Sequence, residues 1–152
     1  MKLFFVFLFL AVSLMSCASC SKTGSPTDTS NNISSTGSKM KLKIGNSTFS
    51  VTLYDNATVT AFKSLLPLTV NMVELNGNEK YADLSRKLPT NASNPGTIRN
   101  GDLMLYGSST VVLFYKTFPT TYSYTKLGRM DDATGLVAAL GAGNVTVMFE
   151  LD

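Results

Sequence analysis

Alternation of apolar and polar residues is the feature that most narrows the folds open to this chain. In "MKLKIGNSTFSVTLY", starting at Met40, Leu42 and Ile44 point one way, and after a Gly-Asn-Ser turn Phe49, Val51 and Leu53 repeat the pattern. A period of two places apolar side chains on one face of a strand, so this stretch predicts a β-hairpin. The same period returns at Leu103–Tyr106, at Val111–Tyr115, in "SYTKLGRM" and in "NVTVMFEL". "LTVNMVELNG" reads as a further strand, closed by Asn76-Gly77, a pair that accepts the positive φ angles of a tight turn.

Two segments change to a helical period. "ATVTAFKSLLP" spaces Val59, Phe62, Leu65 and Leu66 along one helix face and stops at Pro67, and "DATGLVAALG" is a short helix with Gly141 after its end. The intervening "NEKYADLSRKLPTNASNPGTIRNG" keeps no period and reads as a long irregular crossing. Seven or so short strands with two short helices after residue 38 predict a mainly β domain over 39–152. That domain is a closed barrel or a sandwich with helical caps. A barrel hides its strand edges, which suits strands this apolar.

The chain ahead of that domain has a different character. Met1-Lys2 is a positive start, and "LFFVFLFLAVSLM" from Leu3 is apolar but short of the about 20 residues that span a bilayer. "LMSC" at Leu14–Cys17 resembles the bacterial lipobox. The resemblance implies a lipoprotein signal peptide over 1–16 and a lipidated Cys17 as the mature first residue. The multiply acylated cysteine of such a protein carries enough chains to anchor stably, which one chain alone does not. Residues 18–38 are rich in Ser, Thr, Asn and Gly and read as a flexible tether. It reaches roughly 25 Å as a coil. No acidic residue stands directly after Cys17, which points to the periplasmic face of the outer membrane. Cys20 is the only other cysteine, so the body has no disulfide framework.

Composition removes several functions. Against 13 Lys+Arg stand 10 Asp+Glu, and loss of Lys2 with the signal leaves 12 against 10, scattered without a basic stripe. Nucleic acid is therefore not an expected partner. There is no histidine, and both cysteines lie in the tether region, so no Cys-His or Ser-His nucleophile and no zinc site can be assembled. No phosphate-binding glycine loop occurs, and no cofactor is expected.

The final stretch, "KLGRMDDATGLVAALGAGNVTVMFEL", resembles the strand, turn, helix and last strand that finish cyclophilins, and "TIRNGDL" resembles their strand leading into Gly-Gly-Asp. "YDNATVTAFKSLLPL", "NGNEKY", "GDLMLYG" and "LFYKTF" resemble the small bacterial cyclophilin-like proteins, over about Met40 to Leu151. The resemblance implies an eight-stranded barrel capped by helices. True cyclophilins isomerise X–Pro bonds with an Arg, a Gln, a His and a Trp around an apolar floor. This chain has neither His nor Trp, "LTVNMVEL" stands where Phe-His-Arg is expected, and Arg99 stands in place of the Gln. The expectation is a membrane-tethered binding module for a peptide or small ligand. A weak prolyl isomerase working through Arg99 or Arg129 is the alternative.

Candidate site residues follow from the residue types. Arg129, after Gly128 in an apolar strand, either grips a carboxylate or carbonyl with its planar fork or pairs with Asp102, Asp131 or Asp132. Asp102 is a site acid or a turn cap. Tyr106, Phe114, Tyr115, Phe118, Tyr122 and Tyr124 are clustered in sequence, and alternation sends half of them to the core. The rest, Tyr106 and Tyr115 foremost, are placed beside a groove with Arg129. Tyr81 and the "TNASNPGT" loop form either a lid or a plain connector.

Overall fold

A computed structural model describes residues 37–152. The signal segment, Cys17 and nearly all of the tether lie outside the described residues. The first hairpin joins β1 (Lys39–Ile44) to β2 (Ser47–Leu53) in a register that opposes Leu42 to Phe49 and Met40 to Val51. All four of these side chains point into the core. Asn56 then caps α1 (Ala57–Lys63), its side-chain oxygen accepting the Val59 N–H at 2.9 Å. That bond satisfies one of the N–H groups a helix start leaves free. Val59 and Phe62 are buried, and Phe62 meets Phe149 edge-on at 5.9 Å.

β3 (Leu68–Leu75) turns through Asn76 (φ 56) and Gly77 (φ 66) into β4 (Glu79–Asp83). The segment read from sequence as one irregular crossing therefore begins with a strand. The reason is chemical. The inward positions of β4 are Lys80 and Ala82, and a lysine at a core position hides the period. After the 84–96 connection come β5 (Thr97–Ile98), β6 (Asp102–Tyr106), β7 (Thr110–Phe114), β8 (Phe118–Pro119) and β9 (Thr125–Met130). α2 (Leu136–Leu140) and β10 (Val145–Leu151) complete the chain.

Eight strands close a barrel in the order β1-β10-β3-β4-β7-β6-β9-β2, every neighbouring pair antiparallel. The closed barrel settles the alternative the alternation left open. The short strands β5 and β8 pair separately, outside the barrel. α1 sits beside the segment that follows β4, where the Thr58 hydroxyl donates to the Pro89 carbonyl. α2 sits near the start of β4, where Lys80 Nζ donates to the carbonyls of Gly141 at 3.0 Å and Gly143 at 2.6 Å.

The wall formed by β6 and β7 is apolar on both faces. Leu103, Leu105, Val111 and Leu113 fill the barrel. Met104, Val112 and Phe114 point outward into a second buried cluster with Ile98 and Tyr124, against which Tyr81 and Phe118 pack. The β5–β8 pair covers this outer cluster. In β9, the register slips opposite Leu103 and Met104, leaving Leu127 as the extra residue of a bulge. The bulge resets which side chains face in, so that Leu127, Gly128 and Met130 are all buried. A Cβ at Gly128 would lie 2.8 Å from the Thr52 carbonyl oxygen, so this crossing of strands requires glycine.

Candidate functional site

The Gly101-Asp102 turn before β6 is framework. Gly101 has φ 87, and a Cβ there would stand 3.0 Å from the Met130 Cβ. Its N–H donates to the Phe114 carbonyl and its carbonyl accepts from the Met130 N–H. The Asp102 carboxylate accepts the Arg99 N–H at 2.8 Å, closing the turn.

Held by this frame, the outer cluster opens into a groove of about 770 Å³. Its aromatic side is a chain of rings. Phe118 lies 5.9 Å from Phe114, Phe114 5.4 Å from Tyr124, Tyr124 5.6 Å from Tyr106, and Tyr106 6.2 Å from Tyr122. Edge-on and tilted contacts at these separations hold rings in place. The buried members, Phe114 and Tyr124, anchor the chain, while Tyr106 (47% exposed) and Tyr122 (61% exposed) are open to solvent. The opposing side is the outward face of β4, where Glu79, Tyr81 and Asp83 alternate. Thr110 donates its hydroxyl to Asp83 at 2.7 Å. Leu75, Asn76 and Asn78 of the β3–β4 turn close one end.

Electrostatics distinguish the two sides. Burial pushes the Glu79 carboxyl above its ordinary value, and the Glu74 charge adds to the push. Burial also raises the Tyr124 phenol, with the Glu79 charge as a further cause. Among the described residues no Lys or Arg lies within ion-pair distance of Glu79 or Asp83. The Asn78 amide oxygen is buried and accepts no hydrogen bond. No three Asp, Glu, His or Cys side chains converge on a metal position among the described residues.

The sequence-predicted residues are divided among three places. Tyr81 and Tyr106 both line the groove, on its two sides. Tyr115 points into the barrel, where its hydroxyl donates to Glu74 Oε1 at 2.7 Å. A smaller hollow of about 510 Å³ lies there, beside α2. Arg129 faces Asp102, Nε to Oδ1 3.9 Å, and does not line the groove. Arg99 is exposed on the turn before Asp102. The geometry thus does not bring Tyr106, Tyr115 and Arg129 together. Nor does the 90–97 loop line the groove, and Ser93 is fastened to the Tyr124 backbone by two hydrogen bonds of 3.0 Å.

Glu79 and Asp83 did not emerge from sequence reasoning as site residues. The signal that could have found them is the alternation Glu79-Tyr81-Asp83, legible once Lys80 is accepted as an inward residue.

A closed antiparallel barrel with two short helices and a groove on its outer wall defines a small β-barrel domain. The chain belongs to the cyclophilin-like family, whose sequence profile matches residues 42–150. Among solved structures, a hypothetical protein from Archaeoglobus fulgidus, determined in solution, has a similar fold. It is 17% identical, with a TM-score of 0.56, and the match covers 77% of this chain and 96% of that one. No curated protein matches the sequence.

Proposed function

We propose that the domain is a binding module that holds a peptide segment in the groove between β4 and the Tyr106–Tyr124 aromatics. The observation that carries this reading is the groove itself, with four tyrosines around about 770 Å³. That volume falls within the range of ordinary ligand sites. Tyrosine brings a rigid apolar body and a polar tip at little entropic cost, which suits contact with mixed peptide surfaces. Asn76 at the groove end offers an amide donor and acceptor that match a peptide backbone. The module is proposed to hang from a lipidated Cys17 by residues 18–38, at the periplasmic face of the outer membrane. The support for that part is "LMSC" after an apolar run of signal-peptide length.

The test is a random peptide library displayed against the full-length chain, with enriched peptides then titrated by NMR. The expected result is shifts at Tyr81, Tyr106, Tyr122 and Tyr124, and at least a tenfold weakening in Tyr106→Ala. Enriched peptides that bind Tyr106→Ala unchanged, or no enrichment, would remove the reading. The lipid anchor is tested separately, by loss of acyl labelling in Cys17→Ser.

A further inference from the structure

The groove's charges are of one sign. Among the described residues its lining includes Glu79 and Asp83 and no lysine or arginine. Glu79 and Asp83 sit on the same face of one strand with Tyr81 between them. At about 3.3 Å per residue the two acids are roughly 13 Å apart, the span of a few extended residues. A half-buried carboxylate without a cation costs free energy in the empty protein. Elsewhere in the same barrel an acid drawn into the wall is matched, as Glu74 is by Lys80 at 2.5 Å. Glu79 has no such match among the described residues.

We infer that the peptide segment held in this groove carries an arginine, whose guanidinium sits between the Glu79 carboxylate and the tyrosine faces. This inference rests on the groove being the binding site. Arginine fits on two counts. Its planar fork takes a carboxylate in two parallel hydrogen bonds. The same plane stacks on tyrosine, which Tyr81, Tyr106 and Tyr122 offer around the two acids.

The experiment uses the full-length chain and two capped pentapeptides, Ala-Ala-Arg-Ala-Ala and its citrulline counterpart, which keeps the shape and loses the charge. The chain has no tryptophan, and four of its six tyrosines line the groove, so tyrosine emission responds to what binds there. The expected result is at least tenfold tighter binding of the arginine peptide. That preference should collapse towards onefold in Glu79→Gln and shrink in Asp83→Asn. Equal binding of the two peptides overturns the charge inference and leaves the groove reading standing. Binding of neither overturns the arginine inference, and the library selection then decides the groove. Choline binding without arginine-peptide binding would assign the site to small organic cations instead, and so also overturns it. The comparison of the two peptides on the unmodified chain does not depend on either variant folding.

Discussion

Lys80 Nζ lies 2.5 Å from Glu74 Oε2, and the Lys80 side chain is fully buried. The lysine also donates to two backbone carbonyls beside α2, and the Tyr115 hydroxyl donates to the other oxygen of Glu74. The pair ties β4, β3, the residue after β7 and the chain after α2 into one end of the barrel. Removing one member leaves the other charged and poorly solvated. Lys80→Ala is therefore expected to cost about 3–5 kcal/mol, read as a lower urea midpoint at unchanged slope. A loss below about 1 kcal/mol would show that the pair is not a structural tie.

Burial pushes the Tyr115 phenol up to about 12, with the hydrogen bond to Glu74 as the next cause. A raised value means that its contribution to stability is present below the ordinary 10.0 and is lost as pH rises through about 12. In an alkaline absorbance titration Tyr115 and Tyr124 should both ionise late, and Tyr115→Phe should remove one of the two late steps. A titration unchanged by the substitution counts against the buried hydrogen bond.

Glu79 behaves in the opposite sense to a paired acid. Its carboxyl is raised above the ordinary 4.5, so ionisation at neutral pH opposes folding. Glu79→Gln should raise Tm at pH 7, where the native carboxylate is charged. The gain should fade as pH falls below the ordinary carboxylate range, where the native residue is already protonated. Lower stability of the variant at pH 7 would mean that the carboxylate has a partner in the folded protein.

Asp131 accepts from Lys39 at 2.7 Å and from Thr52, and these bonds hold its carboxyl at about 2 against an ordinary 3.8. A depressed value contributes stability above 3.8 that is lost as pH falls through about 2. Both partners of the ion pair are well exposed, so solvent screening keeps the contribution below about 1 kcal/mol. Asp131→Asn should be slightly less stable at neutral pH and indistinguishable from the parent below about pH 2, measured by thermal melts across that range.

The aromatic chain divides into anchors and contacts. Phe114→Ala, at a fully buried ring, should cost about 3–5 kcal/mol. Tyr106→Ala, at a half-exposed ring, should cost less than about 1.5 kcal/mol while weakening the ligand at least tenfold. Chemical denaturation and peptide titration on the same two variants separate the roles. Equal stability losses would mean that Tyr106 is part of the core.

Much of the barrel was legible residue by residue. Leu42, Ile44, Phe49, Val51 and Leu53 alternate because each strand has one face in the core, and that period needs no knowledge of the partner strand. Gly141 marks the end of α2 for reasons local to the backbone, whereas α1 ends at Lys63, so Leu65 and Leu66, read as helical up to Pro67, lie in the turn beyond it. β4 was hidden because Lys80 occupies an inward position that Glu74 on the neighbouring strand and the carbonyls of Gly141 and Gly143 make tolerable. The bulge at Leu127 was hidden for a related reason, since an extra residue shows itself only against the partner strand β6.

The candidate site was legible in part. Tyr81 and Tyr106 are groove residues, whereas Tyr115 turns inward one residue after Phe114 turns outward, and Arg129 faces Asp102. The sequence by itself determined the strand-rich class, the two helices and the absence of histidine chemistry, because periodicity and composition are local properties. Only the tertiary structure decided which aromatics share a groove, and that two acids without a cation stand across from them. Those relationships join β4 to the segment around Tyr122, far along the chain, and the closure of the barrel wall is what brings them face to face.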